Sequence, residues 1–239
     1  MPSDSLEQPT RTILLIAASR GLGLAMAEEF LKKGWNVVGT VRAGSGRTKL
    51  HELANRFPRG IEIETLDICD QSQVKELRER LAGRVFDMLF VNAGTTTNEE
   101  MVTIGDVTTD EFVRVMVTNS LCPMRVVESL QDLVSANGLI GVMSSGQGSV
   151  TNNVNGMREV YRGSKAALNQ FMRSYAARTS NMSRAMVLMA PGWVRTELGG
   201  PDARLSIEES VPNLVNVLLE QQGKAGLQYL DYLGRTVPW

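Results

Sequence analysis

Short apolar runs alternate along the chain with segments whose apolar positions recur every three or four residues. The first run, Thr12–Ala18, is unbroken, which predicts a strand buried on both faces. Leu22–Lys33 has helical spacing and stops at Gly34. Trp35–Val41 predicts the second strand, Thr48–Phe57 a short helix closed by Pro58, and Ile61–Leu66 a third strand. Gln71–Leu81 reads as a helix with Val74, Leu77 and Leu81 inward and a Glu76/Arg80 pair on its wet face. Phe86–Val91 is the fourth strand. A long helix runs from Thr109 to Leu121 and on toward Leu133, disturbed near Pro123. Leu139–Met143, Ala185–Met189 and Leu227–Tyr232 complete the strands, with helices over Met157–Arg178 and Ile207–Gln221 between them. Strands alternating with helices of this length predict one doubly wound α/β domain over residues 12–239. Its seven-stranded sheet is expected to be mostly parallel, with helices on both faces. Such a sheet binds ligands beyond the carboxyl ends of its strands, so the loops after each strand are where chemistry is sought.

Composition narrows the function. Lys and Arg total 25 and Asp and Glu 26, a net charge of −1, so no cationic surplus exists to neutralise nucleic acid or an anionic membrane. The two cysteines, Cys69 and Cys122, lie far apart in sequence. They exclude a cysteine zinc site and a disulfide scaffold and fit a reducing compartment. His51 is the single histidine, which excludes multi-histidine metal sites, and it reads as an exposed helix residue. No apolar run reaches membrane-span length. Residues 1–11 are polar and lack a basic start and apolar stretch, so a loose tail on a cytoplasmic protein is expected.

The loop after the first strand reads Ala17-Ala18-Ser19-Arg20-Gly21-Leu22-Gly23. Its glycines let the backbone approach a phosphate, and the helix behind offers free N–H groups. An acid after the second strand would select NAD(H) by bonding the ribose hydroxyl. Here Arg42 stands instead, and with Arg20 it could meet a 2′-phosphate, favouring NADP(H). Tyr161 and Lys165 lie one helical turn apart, so an ammonium beside the phenol is expected to lower the Tyr161 pKa and suit it to proton transfer. Ser144-Ser145 ends the fifth strand, at the same end of the sheet.

These motifs, in this order, resemble the short-chain dehydrogenase/reductase family from Arg11 to Trp239, a single Rossmann-type domain. Further markers are Leu66-Asp67-Ile68, Val91-Asn92-Ala93-Gly94, Asn119 and Pro191-Gly192-Trp193-Val194-Arg195-Thr196. The Tyr161–Asn169 run, Leu198-Gly199-Gly200 and the terminal Pro238-Trp239 are similar to the C-factor-like branch, which includes small carbonyl reductases. The resemblance implies a catalytic set of Asn119 holding a water, Ser145 (with Ser144 as fallback) binding the substrate oxygen, Tyr161 transferring a proton and Lys165 on the nicotinamide ribose. It implies cofactor contacts from Ser19, Arg20, Gly21, Leu22, Gly23 and Arg42, with Asp67 and Ile68 on the adenine and Asn92, Ala93 and Gly94 packed on the adenosine side. Pro191, Gly192, Val194 and Thr196 complete the set, Val194 and Thr196 on the carboxamide. It also implies a homodimer or homotetramer and a small or medium carbonyl or alcohol as substrate.

One departure stands out. Where the family opens its phosphate loop with Thr-Gly, this chain has Ile16-Ala17, and alanine tolerates a positive φ poorly. That keeps alive a rival: a dinucleotide-binding regulatory protein of C-factor type. A Ser-His-Asp hydrolase is excluded, because no GxSxG occurs and His51 precedes every candidate serine. Substrate choice is expected in Gly146–Met157 and in Thr196–Ser206, the latter as a mobile cover, with Met157, Trp193 and Leu198 as apolar walls.

Overall fold

The computed structural model describes residues 10–180 and 183–239. The tail expected over residues 1–11 lies, for residues 1–9, outside the described residues. Seven strands form one sheet in the order β3-β2-β1-β4-β5-β6-β7. They are β1 (Thr12–Ile16), β2 (Asn36–Val41), β3 (Ile61–Thr65), β4 (Phe86–Val91), β5 (Val134–Met143), β6 (Ala185–Ala190) and β7 (Gly226–Asp231). Every pairing between them is parallel, so the expected mostly parallel sheet is wholly parallel.

The unbroken apolar runs are explained by burial on both faces. Ile13 and Leu15 of β1 face the layer formed by α1 (Gly21–Lys32), α2 (Lys49–Arg56) and α7 (Ile207–Gln221), packing with Phe30, Leu50 and Leu214. The alternate residues Leu14 and Ile16 face α3 (Gln71–Arg80), α5 (Cys122–Leu130) and α6 (Glu159–Arg178), packing with Leu77, Val127 and Leu168. Strand order reverses direction between β1 and β4, which opens a crevice at their carboxyl ends.

Four local expectations change. Arg80 pairs with Glu64 of β3 at 2.9 Å and not with Glu76, because the helix lies against the sheet edge. β5 begins earlier than its apolar run, since its first turns toward solvent carry Ala136 and Asn137 and show no apolar pattern. The long helix is α4 (Thr109–Met116), a wider π turn over Val117–Leu121, then α5. Cys122 N–H there donates to the Val117 carbonyl, five residues back, and Pro123 has no N–H for the Asn119 carbonyl. Finally, α6 starts at Glu159, because Arg158 adopts φ +60° and Met157 stays outside the helix.

Candidate active site

A cleft of about 1010 Å³ runs along the carboxyl ends of β1, β2, β4 and β5. Ser19, Arg20, Gly21, Leu22, Arg42, Asp67, Ile68, Asn92, Ala93 and Gly94 line it, with Tyr161, Lys165, Pro191 and Thr196. Those residues come from loops spread through the sequence, and the sheet brings them together.

The turn after β1 is built against the residue it contains. Ala17 sits at φ +65°, the region L-residues avoid. Its N–H donates to the Thr40 hydroxyl at 2.9 Å, and its carbonyl accepts from Asn92 Nδ2 at 3.2 Å. Gly23 is buried beneath the turn, where a Cβ would lie 2.2 Å from the Ala17 carbonyl oxygen. It therefore shapes the loop from below and does not line the cleft. Arg20 takes the N-cap position of α1 with no side-chain cap, which leaves the first helical N–H groups and the positive dipole end to the cleft. These features fit the phosphates of a dinucleotide.

The two arginines expected at a 2′-phosphate differ in state. Arg42 is exposed at the rim. Arg20 bridges the cleft mouth to Glu197 at 2.5 Å, both side chains largely in solvent, so the pair is weak and exchangeable. Lys49, also lining the cleft, opens α2. A cation at a helix N-terminus opposes the dipole, and that was the signal available in sequence for a residue not singled out there. Thr40 was missed too. Its signal was a hydroxyl inside the buried strand Val37–Val41. His51 caps α2 by accepting from the Thr48 N–H through Nδ1 at 3.1 Å.

The four candidate reacting residues gather where α6 crosses the ends of β4 and β5. Lys165 is 2% exposed, and its Nζ donates to the Met143 carbonyl at 2.9 Å. Desolvation brings its pKa down from 10.5 to about 8. Asn119, in the π turn, is fully buried behind the cleft floor. Its Oδ1 accepts from Thr95 N–H at 2.7 Å, and its Nδ2 donates to the Thr95 carbonyl and to Ser164 Oγ. Of the paired serines, Ser144 is buried and donates to Asn169 Oδ1 at 2.6 Å. Ser144, not the preferred Ser145, lines the cleft; Ser145 Oγ accepts from Gln147 N–H at 3.1 Å and lies close enough to the Tyr161 phenol to lower its pKa.

One electrostatic expectation is reversed. Burial pushes the Tyr161 phenol above its ordinary value, opposed by the Ser145 hydroxyl and the Arg158 guanidinium. Lys165 does not act as the lowering charge here, its Nζ lying 6.0 Å from the ring centroid and tied to Met143. Arg158 lies closer, 5.0 Å from that centroid, held by Glu100 at 3.0 Å.

Val194 is buried and Gly192 turns at φ +84°, so both shape the loop after β6 from outside the cleft lining, while Pro191 and Thr196 reach it. The cover over Thr196–Ser206 is pinned at its base. Arg195 N–H donates to the Leu205 carbonyl at 2.8 Å and Leu205 N–H to the Trp193 carbonyl at 3.0 Å. Of the expected apolar walls, Leu198 lines the cleft, while Met157 and Trp193 are exposed outside its lining. Among the described residues no group of three or more His, Cys, Asp or Glu side chains is placed to hold a metal, and no helix is long and apolar enough to cross a membrane.

Comparison with known proteins gives a consistent picture. The family model described as short chain dehydrogenase matches residues 11–204. A solved structure from Burkholderia multivorans, described as a short-chain dehydrogenase/reductase with bound NADP, is 67% identical, with a TM-score of 0.96 over 97% of this chain and 100% of that one. A carbonyl reductase from Pseudomonas aeruginosa PAO1 in complex with NADP is 32% identical, with a TM-score of 0.88 over 96% of this chain and 100% of that one. C-signal of Myxococcus xanthus is 34% identical over 64% of this chain and 92% of its own length.

Proposed function

This chain belongs to the short-chain dehydrogenase family, and on that premise we propose that it is an NADP(H)-dependent oxidoreductase acting on a small or medium carbonyl or alcohol. The observation that carries the reading is the meeting of Tyr161 and Lys165 at one end of a dinucleotide-sized cleft, with Ser145 beside the Tyr161 phenol and Asn119 directly behind. NADP(H), when bound, supplies or accepts the hydride. Arg20 and Arg42 would hold its 2′-phosphate, the uncapped start of α1 its pyrophosphate, Asp67 and Ile68 its adenine, and Thr196 its carboxamide, all of them residues of the cleft lining.

The protein's own residues manage the oxygen and the proton. Ser145 Oγ hydrogen-bonds the substrate oxygen and fixes the carbonyl against the phenol. As negative charge grows on that oxygen, Tyr161 Oη delivers its proton; in the reverse direction it accepts one. Burial raises the phenol above its ordinary value, so Tyr161 carries the proton that reduction of a carbonyl consumes. Lys165 would hold the nicotinamide ribose, and desolvation brings its buried ammonium to a pKa of about 8, within reach of proton exchange near neutral pH. Asn119 holds the Thr95 backbone at the substrate side and, through a water, extends the relay inward. Leu198 presents apolar surface to the substrate body.

α4 and α6 pack side by side and carry exposed Phe112, Val113 and Phe171, which supports a homodimer or homotetramer through these helices. The test begins with fluorescence titration by NADPH and, separately, NADH, followed by a carbonyl screen. Tyr161→Phe is expected to lower kcat roughly 10²–10⁴-fold while leaving NADPH affinity near wild type. Equal turnover by the phenylalanine variant overturns the role of Tyr161. A second reading, a dinucleotide-binding regulator, is favoured by the likeness to C-signal and by Ala17 at positive φ. It gains if NADPH binds and no carbonyl is turned over.

A further inference from the structure

The chain has two cysteines, Cys69 and Cys122, and the fold brings them together from the loop after β3 and the start of α5. Cys69 follows β3 and is exposed; Cys122 opens α5 and is buried. Their sulfurs lie 2.9 Å apart. A disulfide needs about 2.05 Å, so a closure of under ~1 Å would join them. Cys69 also lines the cleft, beside Thr118 and Asp67. We propose that Cys69 and Cys122 form a reversible dithiol–disulfide couple, a redox modification site that couples the rim loop of the cleft to the start of α5, directly after the π turn that holds Asn119.

The chemistry suits the two positions. The hydrogen bond from Cys122 pulls the Cys69 thiol down to about 7, so the exposed sulfur is the one populated as thiolate near neutral pH. The hydrogen bond to Cys69 and burial push Cys122 up, so it is the resolving thiol. With a hydroperoxide as oxidant, the Cys69 thiolate attacks one peroxide oxygen. The O–O bond breaks, an alcohol or water leaves with one proton, and a sulfenic acid forms. The Cys122 sulfur then attacks the Cys69 sulfur, the S–O bond breaks, and water leaves with the Cys122 proton. The peroxide is reduced by two electrons, and each sulfur gives one. A dithiol reductant reverses the product.

The bond would act on the cleft through Asp67. Cys69 N–H donates to Asp67 Oδ1 at 2.9 Å, so drawing Cys69 toward α5 carries the carboxylate with it. This consequence rests on the dinucleotide reading of the cleft; disulfide formation does not.

The two parts have separate readouts. Full-length protein is treated with one equivalent of hydrogen peroxide, then unfolded in denaturant so that buried Cys122 is reachable, alkylated and weighed intact. Wild type is expected to lose two hydrogens and both alkylatable thiols, and to regain them with dithiothreitol. Cys69→Ser, altered at the exposed position, is expected to keep Cys122 alkylatable. Cys122→Ser is expected to stop at a sulfenic acid. Two thiols still alkylatable after oxidation, or Cys69 driven to sulfinic acid with Cys122 intact, overturns the couple. NADPH titration of the oxidised and reduced forms reads the second part, with a roughly three- to tenfold fall in affinity expected on oxidation. Equal affinities overturn the coupling to the cleft. Failure of the reduced protein to bind NADPH sinks the dinucleotide reading and that coupling with it, while the couple is still judged by mass.

Discussion

At the scale of single residues, strain and burial concentrate in the cleft. Ala17 holds a backbone conformation that costs an L-residue about 1–2 kcal/mol, and the surrounding Thr40 and Asn92 bonds hold it there. Ala17→Gly should relieve about 1–2 kcal/mol of strain against about 0.4–1 kcal/mol of added unfolded-state entropy, so the unfolding free energy should rise by up to about 1 kcal/mol, and the urea midpoint with it. Lys165 makes a different prediction. Its folded pKa of about 8 lies below the ordinary 10.5, so between those values the folded state has released a proton the unfolded chain retains. Stability then rises with pH across that window, and below it the buried ammonium is a standing cost. Urea unfolding of wild type at pH 7.5 and 10, beside Lys165→Met, checks this: the variant should lack that part of the pH dependence. The Tyr161/Lys165 spacing placed the two side chains one turn apart on one helix face, as α6 has them, whereas the charge environment was not legible. Which cation acts on a phenol depends on where two long side chains end, and here Arg158 reaches the ring while Lys165 turns to Met143.

At the scale of elements, periodicity was a good guide wherever a face is buried. Strand and helix positions agree closely for β4 and α7, whose apolar patterns end where their burial ends. The guide failed where backbone geometry changes without a change in hydropathy. The π turn at Val117–Leu121 is one case and the left-handed Arg158 at the start of α6 another. α6 carries both Tyr161 and Lys165, and its seat on the sheet is made by buried Leu168, Met172 and Tyr175. Leu168→Ala should cost about 2–5 kcal/mol, read by denaturant unfolding. Because Lys165 lies one turn before it on α6, turnover should fall more than the loss of folded protein accounts for.

At the scale of the whole molecule, the sheet order sets where the segments meet. Arg20 follows β1 and Arg42 follows β2, and both reach the same rim because β1 and β2 are parallel neighbours. Arg42→Gln should weaken NADPH binding roughly tenfold or more and leave NADH binding nearly unchanged, as titration of both cofactors would show. By itself the sequence determined the wound α/β domain, the order of its motifs and the residue types at the reacting positions. Those follow from local period and from chemistry that needs particular side chains. Only the tertiary structure decided that Ser145 faces Tyr161 while Ser144 turns to Asn169, that Arg20 spans the mouth to Glu197, and that Cys69 and Cys122 touch. Such meetings join positions far apart in the chain or choose between adjacent ones. They are fixed by how strands stack and helices seat, which no single segment's pattern encodes.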